Sequence, residues 1–187
     1  MTSQDDEQNA HQALEAGNYE EAVRMLNLLA ERNSHYALLS LGWVYETGVS
    51  GHVDNAAARH YYERAIAEGS MSAYFELGRL LVSQGEETTA RATFEAGADR
   101  GDISSMARLG KMMVEGRGGP TDINAGSAWL ENASAQGHIH AERTLLAIEE
   151  RNARSMFEKL SIKGKIASLV KRGAEEMLKD PHSDKVR

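Results

Sequence analysis

The dipeptide Leu-Gly recurs at Leu41-Gly42, Leu77-Gly78 and Leu109-Gly110, at intervals of 36 and 32 residues. Self-similarity of that length marks a repeat array, in which one supersecondary unit stacks on copies of itself. Five residues before each of these glycines stand Ala37, Ala73 and Ser105, and a fourth copy places Ala141 five before Leu146. Small side chains thus recur where helices must approach closely. A second series, Gly69, Gly101 and Gly137, follows Tyr61-Tyr62, Phe94 and Trp129-Leu130 by seven or eight residues. Each unit therefore contains two helices. Only Pro120 and Pro181 interrupt the 187 residues, and strong helix formers recur without β-branched runs, which predicts a nearly all-helical chain. Most of the 17 glycines fall between apolar periodic segments, where a left-handed residue ends a helix.

Helix starts agree with the period. Ser34, Ser70 and Asp102 precede the first helix of successive copies, and Asp54 and Asp122 precede the second. At these places a short oxygen side chain accepts from the orphan N–H groups of the first turn. His138 departs from this pattern at the fourth copy. The link between the two helices runs from Gly48 to Val53 in one copy and Gly116 to Thr121 in another, but contracts to about Gln84-Gly85 in the middle copy. Loops absorb the variation in period.

The run Ala37, Leu41-Gly42, Tyr45, Gly48, Asp54, Tyr61-Tyr62, Ala65 and Gly69 resembles the Sel-one-like repeat (SLR), a relative of the tetratricopeptide repeat with a longer internal loop. The copy from Ile103 to Gly137 matches nearly as well, and the copy from Met71 to Gly101 is nearer tetratricopeptide length. Gly17-Asn18-Tyr19-Glu20-Glu21-Ala22 resembles the tetratricopeptide turn between helices. The departures are Ser105 for alanine, Gly97 and Gly126 within helices, and a shortened last unit. The expected fold is all-α: a right-handed α-solenoid of stacked antiparallel helix pairs with a C-terminal amphipathic helix. Residues 1–7 form a flexible lead, 8–150 the solenoid of four to five helix pairs, and 151–187 a basic helical segment and tail.

Stacked pairs share a continuous core and leave a concave groove. The resemblance implies that first helices line it, here through Tyr36, Leu39 and Trp43, then Ser72, Phe75 and Arg79, then Ser104 and Lys111, then His140 and Arg143. Aromatic anchors precede basic groups, which suits a peptide or helical segment of a partner protein with an apolar residue against Trp43 and Phe75 and an acidic group at Arg79, Lys111 or Arg143. Trp43 and Phe75 serve equally well as packing between neighbouring helices.

The formal charge of −7 disfavours free nucleic acid. Asp5, Asp6 and Glu7 stand where a secretory signal needs basic residues, and no 18-residue uncharged apolar run occurs, so a cytoplasmic, non-spanning chain is expected. There is no cysteine nucleophile or thiolate metal site. Gly116-Arg117-Gly118-Gly119-Pro120 lacks the Gly-Lys-Ser/Thr ending of a phosphate loop, as do Gly110-Lys111 and Gly164-Lys165 their leading glycine. Gly48-Val49-Ser50-Gly51 lacks the spacing of a nucleophile elbow. His138-Ile139-His140 is the only close histidine pair, and residues two apart diverge at a helix start. The sequon Asn132-Ala133-Ser134 falls inside an expected helix. No cofactor, metal site or catalysis is expected.

Residues 1–150 hold 11 Lys or Arg against 23 Asp or Glu, whereas 151–187 hold 10 against 5. In that basic end, Ile162, Ile166, Leu169, Gly173 and Met177 form a helical stripe among Lys159, Lys163, Lys165, Lys171 and Arg172. Fraying is expected near Ser161 and Gly164, and an end at Pro181-His182-Ser183. Two readings stay open for it: a cap on the exposed end of the last repeat, or a helix that attaches to anionic lipid or to a partner's acidic face. The leading functional expectation is a non-catalytic adaptor or scaffold. The alternative is a peripheral membrane accessory protein, for example in cell-envelope assembly, recruited at the inner face of a membrane through this helix.

Overall fold

Left-handed glycines and short polar caps divide the chain into helices at the expected intervals. The computed structural model describes residues 3–179, which contain helices and turns and no strand. Five helices lie in one compact unit ending at Gly85: α1 (Ser3–Glu15), α2 (Tyr19–Ala30), α3 (His35–Thr47), α4 (Asn55–Ala67) and α5 (Ser72–Ser83). Five lie in a second unit beginning at Glu86: α6 (Glu87–Ala98), α7 (Ile103–Glu115), α8 (Ile123–Ala135), α9 (Ile139–Asn152) and α10 (Met156–Lys179). Within each unit every helix packs on the next, and the alternate first helices α3 and α5, and likewise α7 and α9, also touch.

Most of the expected caps form. The side chains of Ser34 and Asp102 accept from the backbone N–H groups of Ala37 and Ser105, Asp54 from Ala56 and Ala57, and Asp122 from Ala125. Two positions differ. Ser70 does not cap α5, because the helix starts a residue later with Met71 as its cap. His138, which breaks the sequence pattern, nevertheless takes the cap role: its Nδ1 accepts from Ala141 N–H at 3.1 Å. A neutral imidazole supplies the same acceptor as a hydroxyl or carboxylate. Gly48 and Gly116 end α3 and α7 in the left-handed conformation at φ 69°.

The Leu-Gly glycines do something further. A Cβ on Gly42 would run into the Tyr62 ring, and one on Gly110 would lie 2.7 Å from the carbonyl oxygen of Gly126. Glycine at Gly110 lets the two helices of its pair come into backbone-level contact, and at Gly42 it admits the Tyr62 ring of the paired helix against α3. Gly126, a departure inside α8, is the other half of the second contact. In the first unit Leu26, Leu29, Leu38 and Leu41 form the core with Ala37, Ala65 and Ala73. Ser105 is fully buried in the second, and its hydroxyl finds no partner among the described residues.

The expected domain boundaries and the packing diverge. Residues 3–7, expected as a flexible lead, belong to α1, with Glu7 accepting a hydrogen bond from Ser34 and Asp6 pairing with Arg32. Charge changes sign near residue 150, but packing divides at 85/86, between the helices of the middle copy. α10 runs unbroken through Ser161 and Gly164, where fraying was expected, because its stripe is buried: Ile162, Leu169 and Leu146 of α9 form one cluster, flanked by Ile139, Ala153 and Ile166. Met177, the last member of the stripe, is exposed. The expected stop at Pro181-His182-Ser183 lies outside the described residues.

Candidate functional site

The residues read as groove-lining fall on the first helices α3, α5, α7 and α9, and their surroundings differ between the units. On α3, Tyr36 and Leu39 are half-buried against the core of the first unit, and the Tyr36 hydroxyl meets His11 Nδ1 at 3.2 Å. Trp43 is 40% exposed. On α5, Ser72 is half-buried and Phe75 is only 7% exposed. Phe75 therefore belongs to the packing, as its apolar side chain allowed, and offers a partner little surface.

Arg79 is spoken for within its own unit. Its guanidinium donates to Glu46 Oε2 at 2.5 Å and to Glu76 Oε2 at 3.1 Å. Burial alone would lower the guanidinium pKa, but hydrogen bonding and charge from Glu46 and Glu76 outweigh it and raise it. The same Glu46 oxygen accepts from the Tyr62 hydroxyl at 3.0 Å. Burial, with Glu46 and Glu76, holds Tyr62 well above the ordinary phenol range, so it stays a donor. This network follows from Gly42, which admits the Tyr62 ring against α3.

In the second unit the corresponding face is an open cleft of about 460 Å³ between α7 and α9. Its charged lining consists of Arg108 and Lys111 from α7, Arg143 from α9, and Glu115, with His138 and His140 at one end. Lys111 and Glu115 approach no closer than 3.9 Å, and both are more than a third exposed, so that pairing is weak. Ser104 is buried at the cleft floor. Sequence reading brought Lys111, His140 and Arg143 to this face but missed Arg108. The signal was present: Arg108 lies four residues after Ser104 and three before Lys111, on the same helix face.

His138 points inward and is buried, which pushes its imidazole down to about 4, with further lowering from His140 and Arg108. A neutral ring keeps Nδ1 free to accept from Ala141. The His138 and His140 rings stand 6.1 Å apart and tilted. No group of three metal-ligating side chains occurs among the described residues. The glycine-rich loop after α7 is closed against α6: Arg117 pairs with Glu87, Arg91 donates to the Pro120 carbonyl, and a Cβ on Gly118 would run into the Glu87 backbone. Its space is taken by packing.

Apart from Lys179, which lines the cleft against Gly137 and Ile139, the basic residues of α10 divide into two sets. Arg172 donates to both oxygens of Glu142 at 2.8 Å, and Lys165 lies 3.5 Å from Glu149, so both face α9. Lys159, Lys163 and Lys171 are exposed and make no ion pair with another described residue. No helix of the described residues is long and apolar enough to cross a membrane.

Residues 103–138 match the Sel1 repeat family, and residues 52–103 match the tetratricopeptide repeat family. A search of curated proteins finds no match. Among solved structures, a Sel1 repeat protein from Oxalobacter formigenes is similar with a TM-score of 0.68 at 24% identity, over 79% of this chain and 64% of that one. A protective antigen of uropathogenic Escherichia coli strains, displaying an SLR fold, gives 0.66 at 24% identity over 82% and 34%. A sel1 repeat protein from Klebsiella pneumoniae subsp. pneumoniae gives 0.57 at 18% identity over 95% and 92%. The chain thus spans less than two thirds of the first two, and at these identities the likeness is one of fold. The internal period, the two repeat matches over residues 52–138 and the fold agree: the chain carries Sel1-type and tetratricopeptide-type repeats and shares the fold of SLR proteins.

Proposed function

We propose that this chain is a non-catalytic adaptor or scaffold that holds an acidic segment of a partner protein in the α7–α9 cleft, through Lys111, Arg143 and Arg108, with His140 at its rim. Repeats of these two types generally mediate protein–protein contacts and are typically non-enzymatic. The observation that carries the reading is the concentration of three permanent cations around one cleft with a single, weakly engaged carboxylate, in a chain whose overall charge is −7. Cations gathered against the net charge of the chain favour a carboxylate-bearing ligand and set its orientation. Trp43 on the first unit supplies a separate exposed aromatic contact, the residue type that anchors such interfaces.

The test is fluorescence polarisation with labelled glutamate- and aspartate-rich octapeptides against lysine-rich ones. Binding of the acidic peptides is expected, weakening at least tenfold in the Lys111→Glu, Arg143→Glu double variant and weakening with added salt. Equal binding of both peptide classes, or no loss in the variant, would remove the cleft as the binding site. Affinity capture compared between the original protein and the double variant then identifies the physiological partner.

A further inference from the structure

α10 carries two apolar faces, and only one is used. The inner face, Ile162, Ile166, Leu169 and Gly173, is closed on α9. About a third of a turn around the helix, Leu160, Lys163, Ala167, Val170, Ala174 and Leu178 follow one another at intervals of three and four residues, a single helical line. Leu160 is 60% exposed, Val170 55% and Leu178 87%, and Phe157 beside this line is 86% exposed. Spanning Leu160 to Leu178, the line is about 27 Å long at the α-helical rise.

Three cations lie along this side. Lys163 lies in the line, and Lys159 and Lys171 border it, none of them in an ion pair with a described residue. Among the helix's carboxylates, Glu175 stands at the edge of the line, one turn after Lys171. Glu158 accepts from the backbone N–H groups of Arg154 and Ser155, and Glu175 and Glu176 line the shallow cleft against Gly137 and Ile139. We propose that this outer face of α10 docks on an anionic lipid surface, with α10 lying flat and its inner stripe still covering α9.

Three features select that occupant. A second copy docking by the same face would bring lysines against lysines. A lipid surface needs no fixed positional match, only apolar side chains intermixed with cations along one exposed line. Lysines within the line extend their ammonium groups to the headgroups while their stems stay with the leucines. The cations used are also a different set from the one the basic composition suggests, since Lys165 and Arg172 turn toward Glu149 and Glu142 on α9.

Flotation of the full chain with phosphatidylcholine vesicles, with and without 30% phosphatidylglycerol, tests the proposal at low salt. Partitioning to the anionic vesicles is expected at least tenfold above the neutral ones. Each lysine near such a surface contributes roughly fivefold, so Lys163→Glu with Lys171→Glu should bring binding down to the neutral level with the thermal melt unchanged. Arg151→Glu with Arg154→Glu makes the same change in net charge off the face and should reduce binding less than threefold. Leu160→Gln with Val170→Gln should weaken binding without altering its salt dependence. Absence of anionic-vesicle binding by the original protein overturns the proposal, as does equal loss in the two charge variants. So does a concentration-dependent dimer, or an acidic-peptide complex, that is abolished by Leu160→Gln with Val170→Gln in protein that ignores vesicles. Lys111→Glu with Arg143→Glu leaves α10 intact, so failure of the cleft reading and failure of this one are distinguishable.

Discussion

Arg79 in the first unit and Lys111 in the second each follow the glycine of a Leu-Gly pair, so the repeat places them alike. Three residues earlier the first unit has Glu76 and the second has Arg108. Four residues after the glycine, the copy beginning at Gly42 has Glu46, whereas the copy beginning at Gly110 has Val114. Tyr62 and Leu130 fill the corresponding close approach to these two glycines. In the first unit, therefore, tyrosine and glutamate build a network that ties Arg79 down, with Glu46 itself mostly buried. In the second, valine and leucine fill the same space with hydrocarbon, and cations gather at the cleft instead. The shared glycine contact carries a buried tyrosine–glutamate–arginine network in the first unit and an apolar filling in the second.

What the two regions share is the glycine contact, and breaking it has the largest expected effect. Gly42→Ala and Gly110→Ala each place a methyl inside a neighbour's van der Waals envelope. Alanine would gain up to about 1 kcal/mol of helix propensity, but the overlap outweighs it. A net loss of about 3 kcal/mol is expected for each, read from urea denaturation. If Gly42→Ala costs little, the Tyr62 ring relaxes more readily than the fixed backbone at Gly126.

The next effect separates the units by pH. The first unit caps α3 with Ser34, whereas the second caps α9 with buried His138. The His138 pKa is lowered on folding, from 6.5 to about 4, so the unfolded chain binds a proton first. The stability it represents is complete above pH 6.5 and is lost as pH falls toward 4. A loss of about 2 kcal/mol between pH 7.5 and pH 5 is expected from this group. His138→Asn keeps an oxygen acceptor at the cap and should flatten that part of the profile.

The smallest change converts one face toward the other. Glu76→Arg puts the second unit's charge beside Arg79 and removes one of its two partners. Because Arg79 is 37% exposed, a cost of about 1 kcal/mol is expected, read from the thermal melt. The reciprocal Arg108→Glu should lower acidic-peptide binding about tenfold, read by fluorescence polarisation.

The sequence alone settled the repeat, the helix pairs and most boundaries, because these depend on local rules: small residues at fixed intervals, left-handed glycines, and oxygen side chains before a first turn. It also put Lys111, His140 and Arg143 on the helices that line the α7–α9 cleft, since helical spacing is local. Tertiary structure decided which charges are committed. Arg79 is neutralised by Glu46, 33 residues away, and Arg172 by Glu142, 30 residues away, pairings that no periodicity encodes. It decided likewise that Phe75 is packed, that a histidine caps α9, and that α10 spends one apolar face on α9 and leaves the other exposed. Helix formation is governed by residues within a turn or two of one another, whereas burial and charge pairing are governed by which helix comes to lie beside which.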